Sequence, residues 1–347
     1  MILFVTIYFC LQLIIAVILW YGARKSKQIN TLKTYKNTSV IISLKNESQR
    51  IRPLLKSINQ CAIKNKDNKL FDCLDFIFVD DHSTDNSYKV VFDELDVKFR
   101  YFRLRSTSGK KYAIKHGVEQ AKFERILTLD ADVWFNDDYL NFLCQTPCSG
   151  LTILPVNMTS NSFFGKLSSI EFSFLQRLTF GLAGLGHPYI CNGANLLFTK
   201  NSYSNSLSYR TDAQIDSGDD VFLLEAIKQA NLPITAFNVE DLAVSTLAPI
   251  HFKSLLNQRK RWYSKMKGVT TYLGGIFLLT SNVLLLLCLF KLNYDAVYIL
   301  PVVIKFMSEL VSVKEFKQKV WLLPHQIYYP FYLLVLILYP KKNNWRS

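Results

Sequence analysis

Ile126-Leu127-Thr128-Leu129-Asp130-Ala131-Asp132 decides the fold. Four apolar or β-branched residues, too few for a helix, run directly into two carboxylates two positions apart. That is the pattern of a buried strand ending at a polar rim. Phe76-Ile77-Phe78-Val79 repeats the pattern and ends at Asp80-Asp81, and Val40-Ile41-Ile42-Ser43-Leu44 is a third short buried strand. Segments of helical spacing lie between: Gln49 to Ala62, a stretch capped by Ser83-Thr84-Asp85 and running to about Glu94, and Lys111 to Ala121. Phe99 to Leu104 alternates like a further strand. Strands separated by helices argue for βαβ units in an α/β domain with a mostly parallel sheet. Ligands of such sheets bind beyond the carboxyl ends of the strands, so the acidic ends are predicted to converge on one rim.

The second half is less regular. Phe163 to Leu185 is long, aromatic-rich and expected to be helical, partly at a membrane surface. Ala194 to Phe198 reads as a strand, and Asp219 to Asn231 as a helix whose opening acids suit its N-terminal dipole. His251 to Lys267 is basic and amphipathic, expected to lie along a membrane interface with Phe252, Leu255, Leu256 and Trp262 on its apolar side.

The ends of the chain read as membrane segments. Ile2 to Tyr21 carries no charge and is long enough to span. It lacks the basic start and small-residue cleavage site of a signal peptide, so an uncleaved anchor is expected. Arg24, Lys25, Lys27, Lys33 and Lys36 follow it, which places the next domain in the cytoplasm by the positive-inside bias. Gly268 to Phe290 and Val320 to Tyr339 are two further apolar runs. Tyr294 to Val313, between them, carries Lys305 and Glu309 four residues apart, either a third span with an internal ion pair or an interfacial or re-entrant piece. The resulting division is an anchor at 1–22, a cytoplasmic domain at 37–250, an interface helix at 251–267 and a membrane region of two or three spans at 268–340.

The 347 residues are 50% hydrophobic and 14% aromatic, which excludes a disordered chain. Forty-one Lys and Arg against 27 Asp and Glu give +14, pointing to an anionic membrane surface or phosphate-bearing ligands. No nucleic-acid-binding motif accompanies that charge. The seven cysteines, odd in number and without a Cys-x-x-Cys pair, read as reduced thiols.

Four features carry chemistry. Asp130-x-Asp132 at a strand end can hold a hard divalent ion and let it bridge a diphosphate, against the plainer account of a solvated, capping loop. Asp80 and Asp81 can accept from a nucleobase imide and a ribose hydroxyl, or simply shape a turn. Asp219-Asp220 favours the helix dipole and can also supply a general base. Gln258-Arg259-Lys260-Arg261-Trp262 is a membrane-surface stripe or, alternatively, a phosphate grip with a ring that stacks on sugar. His187, His251 and His325 have plainer structural readings.

In this order the features resemble the membrane-bound family 2 glycosyltransferases, the group that includes cellulose, chitin and hyaluronan synthases and ceramide glucosyltransferase. The resembling stretches are Val40 to Glu47, Val79 to Ser87, Gly109 to Gly117, Leu127 to Val133, Asn192 to Asn195, Ser217 to Leu223 and Gln258 to Trp262. The resemblance implies a GT-A fold, a Rossmann-like mixed, mostly parallel sheet flanked by helices, with transmembrane helices at both ends. It implies inverting transfer from a nucleotide-sugar, of the UDP class, with Mg2+ or Mn2+, to a lipid or glycan acceptor at the cytoplasmic membrane face, and no nucleic acid. Leu44, Glu47, Asp80, Asp81, Lys110, Asp130, Arg259 and Arg261 would then contact the donor, and Asp132 with Asp130 the metal. Asp220 would be the base, with Asp219 in the place of the family's Glu. Asn192, Gly193, Gln258 and Trp262 would meet the acceptor. Lys45 departs from the pattern, which has a smaller residue there. A processive polysaccharide synthase, a membrane-bound sugar nucleotidyltransferase releasing pyrophosphate, and an inactive scaffold are the competing readings.

Overall fold

The computed structural model describes residues 2–26, 29–66, 69–210, 219–263, 269–311, 313 and 319–338. The chain divides into an α/β unit, Arg24–Asn157 with Leu182–Leu247, and a helical unit, Met1–Ala23 with Met158–Gly181 and Ala248–Asn343. The expected single stretch 37–250 is therefore interrupted: residues 158–181 cluster with the helices.

A first helix, α1 (Ile2–Lys25), leads to β1 (Thr38–Leu44), α2 (Arg52–Lys64), β2 (Leu74–Asp80), α3 (Ser87–Glu94), β3 (Phe99–Arg103), α4 (Lys110–Gln120) and β4 (Arg125–Asp130). There follow β5 (Val133–Trp134), α5 (Tyr139–Gln145), β6 (Leu151–Ile153) and β7 (Val156–Thr159), then the long α6 (Phe163–Gly184). The chain returns through β8 (Asn195–Thr199), α7 (Lys200–Ser206), α8 (Asp219–Gln229), β9 (Ile234–Ala236) and β10 (Val244–Leu247). The main sheet has the order β3-β2-β1-β4-β8-β6-β9. β1, β2, β3 and β4 are parallel, β8 runs antiparallel to β4 and β6, and β9 is parallel to β6. β5, β10 and β7 form a second, three-stranded sheet.

The core follows from composition. All seven residues of β1 are buried, as befits a central strand covered on both faces, and Val40, Ile41, Ile42, Phe76, Ile77, Phe78, Ile126 and Leu127 are essentially inaccessible. Each such side chain contributes about 1.5–3 kcal/mol. α2 begins with a proline in its first turn, where no donor is lost, and buries Leu54, Leu55, Ile58 and Cys61. α4 reaches β1 through Gly117: a Cβ there would stand 2.5 Å from Ile41 Cγ2. Ser83 and Thr84 do not cap α3, whose N-cap is Asn86. Their polar groups join the loop contacts described below.

The helical unit holds residues of α1 and α6 together with α9 (Phe252–Tyr263), α10 (Val269–Lys291), α11 (Ile299–Leu310) and α12 (Leu322–Leu338). α1 is the one described helix long and apolar enough to cross a membrane, by length and composition. Its Val5 and Phe9 pack on Leu285 and Cys288 of α10. Among the described residues, α10 contributes only its apolar stretch Leu279–Lys291 to that criterion. The 12 residues of α11 reach about 18 Å, short of a hydrocarbon core of about 30 Å. Lys305 and Glu309 do pair, and Lys305 also donates to Gln326 Oε1 at 2.9 Å. The apolar side of α9, expected to meet lipid, is covered by protein: Leu255 and Leu256 are buried against Tyr329, Tyr332, Leu333 and Leu336 of α12. Lys314, Lys317 and the basic tail residues Lys341, Lys342 and Arg346 lie outside the described residues.

Candidate active site

Register aligns the acids. Leu44 pairs with Asp80 across β1 and β2, and Ser43 with Asp130 across β1 and β4. Three parallel strands therefore deliver their carboxyl ends to one edge of the sheet. β8 is antiparallel, so its beginning, Asn195 opposite Leu129, brings the Asn192-Gly193 loop to the same edge.

Around Asp80 and Asp81 the loops are laced together. The Asp81 N–H donates to Leu44 O at 2.9 Å and the Ser83 N–H to Asp80 Oδ1 at 2.8 Å. Asn46 accepts from the Thr84 N–H at 2.8 Å while its own N–H donates to Ser83 Oγ at 3.0 Å. Asn46 and His82 both sit at positive φ, 55° and 58°. Such backbone outliers in non-glycine residues cluster at functional rims. Lys45 Nζ lies 3.2 Å from Asp81 Oδ2 and His82 Nδ1 3.1 Å from Asp81 Oδ1. Burial would raise the Asp81 carboxyl, but hydrogen bonds from Ser108, His82, the Gly109 N–H and Lys45 outweigh it and hold Asp81 below the usual carboxylate range. Gly109, at φ 119°, turns the chain into α4 immediately before Lys110, a conformation side chains rarely adopt.

Asp130 stands at the end of β4, beside β1, and Asp132 follows two residues on. Lys110 Nζ pairs with Asp130 Oδ1. Arg50 bridges Glu47 Oε2 at 2.9 Å and Asp132 Oδ2 at 3.6 Å. The side chains of Asp130 and Asp132 remain 31% and 24% exposed. Asp132 is shifted upward, first by desolvation and then by the Asp130 carboxylate, against the pull of Arg50 and Lys110. Two hard carboxylates that repel one another are a fit donor pair for a divalent cation. Among the described residues no third His, Cys, Asp or Glu joins them in a cluster.

Asp220 opens α8 and is fixed by the loop before β8. Gly193 N–H donates to Asp220 Oδ2 at 2.9 Å and Val221 N–H to Asp220 Oδ1 at 2.9 Å. Cys191 Sγ meets the Asp220 carbonyl at 3.2 Å, and Thr128 Oγ1 reaches Gly193 O at 3.3 Å. The chain thus ties the candidate base to β4 through Gly193. The side chain of Asp219, with residues 211–218, lies outside the described residues.

Leu44, Glu47, Asp80, Asp81, Lys110, Asp130, Asp132, Asn192, Gly193 and Asp220 all belong to the α/β unit, whereas Gln258, Arg259, Arg261 and Trp262 belong to the helical unit. There Arg259, expected at the donor, is 1% exposed and pairs with Glu171 of α6 at 2.8 Å. Its guanidinium is directed into the unit's interior. Sequence reasoning missed Glu171, Arg50, Ser108 and Cys191 as partners of the site residues. Lys45 alone had a signal, as a departure from the family pattern.

Known proteins share part of this sequence and its fold. Residues 39–149 match the family model "Glycosyl transferase family 2". A poly-beta-1,6-N-acetyl-D-glucosamine synthase of Staphylococcus epidermidis is 26% identical over 141 residues, 39% of this chain and 32% of that protein. The enzyme of the same name from Staphylococcus aureus strain COL is 24% identical over 161 residues, 45% of this chain and 37% of that protein. The matched stretch thus spans about a third of the length of these curated relatives. Among solved structures, a mannosyltransferase from Pyrobaculum calidifontis, in complex with GDP-Man and Mn2+, superposes with a TM-score of 0.53 at 14% identity, covering 97% of this chain and 98% of that one. Residues 39–149 thus match the family 2 glycosyltransferases in sequence, and the chain shares with its structural neighbour the mixed, parallel-rich sheet of the GT-A fold.

Proposed function

We propose that this protein transfers a sugar, with inversion, from a UDP-sugar to a lipid or glycan acceptor at the cytoplasmic face of a membrane. The observation that carries the proposal is the convergence of Asp80, Asp81, Asp130, Asp132 and Asp220 on one sheet edge. Leu44, Glu47, Asp80 and Asp81 receive the nucleoside, Asp81 with its charge already balanced by Lys45. Lys110 and Arg261 face the diphosphate. Asn192, Gly193, Gln258 and Trp262 contact the acceptor. Asp220, oriented by Gly193 and Val221, takes the proton from the acceptor hydroxyl as that oxygen bonds to the anomeric carbon and the nucleoside diphosphate leaves. Asp219, beside it, is the alternative base. Asp130 and Asp132 would hold Mg2+ or Mn2+, which when bound neutralises charge on the leaving diphosphate.

A direct test is UDP binding by the detergent-purified protein with Mn2+ and with chelator. Asp132→Ala is expected to weaken metal-dependent binding about tenfold and to abolish the effect of chelator. Affinity indifferent to both the substitution and chelator contradicts the metal role. The relatives named as polysaccharide synthases favour a second reading, repeated transfer to a growing glycan. Product size separates the two: a single hexose added to a lipid, or a polymer.

A further inference from the structure

We infer that Arg259 and Glu171 are positioning residues that set the orientation of Gln258 and Trp262. The inference rests on the reading of Gln258 and Trp262 as acceptor-binding. Every guanidinium nitrogen of Arg259 has a partner. Nε donates to Glu171 Oε2 at 2.8 Å, Nη1 to Gln258 Oε1 at 2.6 Å, and Nη2 to Ser168 Oγ at 2.8 Å and Ser168 O at 3.3 Å. The central carbon of the same group lies over the Trp262 ring, 4.2 Å from its centroid. That ring system also meets Phe172, next to Glu171 in α6, with centroids 5.9 Å apart.

The arrangement has a hub and a counter-charge. Arg259 is the largest fully buried side chain described, and Glu171 is 7% exposed on its side chain. A guanidinium sealed in this way needs a carboxylate, because an uncompensated buried charge is strongly unfavourable. Glu171 supplies it from an element 88 positions away in sequence. Arg259 is then fixed in a plane that suits two functions at once. Its Nη1 donor holds the Gln258 amide oxygen, and its cationic centre stands over the indole. A lysine keeps the charge but has neither the fork nor the flat face. Gln258, beside Arg259 in the motif, and Trp262, three positions on, are therefore oriented from α6.

Three variants of the full chain in detergent test this: Glu171→Gln, Arg259→Lys, and the double variant Glu171→Leu/Arg259→Met. The first readout needs no substrate. Trp262 fluorescence is isolated by subtracting the spectrum of the matching Trp262→Phe protein, and its quenching by acrylamide is expected to rise about twofold in all three. In sugar transfer, the acceptor KM is expected to rise about tenfold, with kcat changed less than twofold and donor KM unchanged. The double variant separates positioning from stability. Replacing a buried pair by apolar side chains restores stability, so its Tm should return towards wild type while Trp262 stays loosened. Return of both Tm and Trp262 quenching to wild type in the double variant overturns the inference, leaving the pair purely structural. Unchanged quenching in both single variants, or a raised donor KM in Arg259→Lys, overturns it too. A wild-type protein that transfers no sugar contradicts the proposed function, and the quenching arm still decides this inference.

Discussion

The two units of this chain treat charge in opposite ways. On the rim of the α/β unit, Lys110, Asp130 and Asp132 keep 21–31% of their side-chain surface exposed, and their ion pairs are ones that an incoming cation or diphosphate can exchange. In the helical unit, Glu171 with Arg259 and Lys305 with Glu309 are almost completely enclosed. Partly solvated pairs contribute little to stability and can be rearranged by a ligand. Enclosed pairs hold helices in register, and breaking one leaves a charge with no solvent to receive it. Substitutions at Lys110, Asp130 and Asp132 should therefore alter chemistry at nearly constant stability. Substitutions in the enclosed pairs should alter stability or orientation first.

The largest expected effect is on the rim. Asp220→Asn should lower turnover by about 10²–10⁴-fold, with UDP affinity and Tm within error of wild type. Near-normal turnover removes Asp220 from the role of base and moves attention to Asp219. The contrasting experiment is Lys305→Met, which strands Glu309 and should cost about 3–5 kcal/mol in chemical denaturation. Lys305→Met/Glu309→Leu should recover most of that loss. A single substitution that leaves stability unchanged breaks the comparison, since the pair would then be behaving like a surface one.

Smaller effects sharpen the picture within the α/β unit. Gly117→Ala places a Cβ against Ile41 and should cost about 1–3 kcal/mol by overpacking, seen as a lower denaturation midpoint with KM values unaltered. The smallest concerns Asp81. Its folded-state pKa is depressed, so its contribution is present above the unfolded carboxylate value of about 3.9 and is lost as pH falls through the folded one. Asp81→Asn should lower Tm by a few degrees at pH 7, with the gap to wild type closing below pH of about 4. A gap that persists at pH 3 assigns the effect to packing rather than charge.

Much of the α/β unit was legible in the sequence because its strands are short, apolar and end in acids. Val40–Leu44, Phe76–Val79 and Ile126–Leu129 all fall inside β1, β2 and β4. The convergence of Asp80, Asp81 and Asp130 followed from parallel pairing alone. β5, β6, β7, β9 and β10 were not anticipated; they are two to four residues long, and periodicity has no purchase on so few positions. The clustering of residues 158–181 with the helices was also not anticipated, although Gly181, Gly184, Gly186 and Pro188 gather at its end. The Arg259–Glu171 pair escaped for a different reason. Seen in sequence, a basic helix before an apolar run reads as a solvated or phosphate-gripping stripe, and only a buried carboxylate 88 positions earlier turns one of its arginines inward.

The central claim is that the rim acids of this chain support transfer from a nucleotide-sugar. Nucleoside diphosphate release tests it most directly, measured on the detergent-purified protein with a panel of UDP- and GDP-sugars, with and without Mn2+ or Mg2+, in the presence of total membrane lipid. The account predicts metal-dependent UDP release from one sugar, stimulated by a lipid or glycan fraction and absent in Asp220→Asn. Release of pyrophosphate from a sugar phosphate and a nucleoside triphosphate, or no nucleotide binding at all, would contradict it.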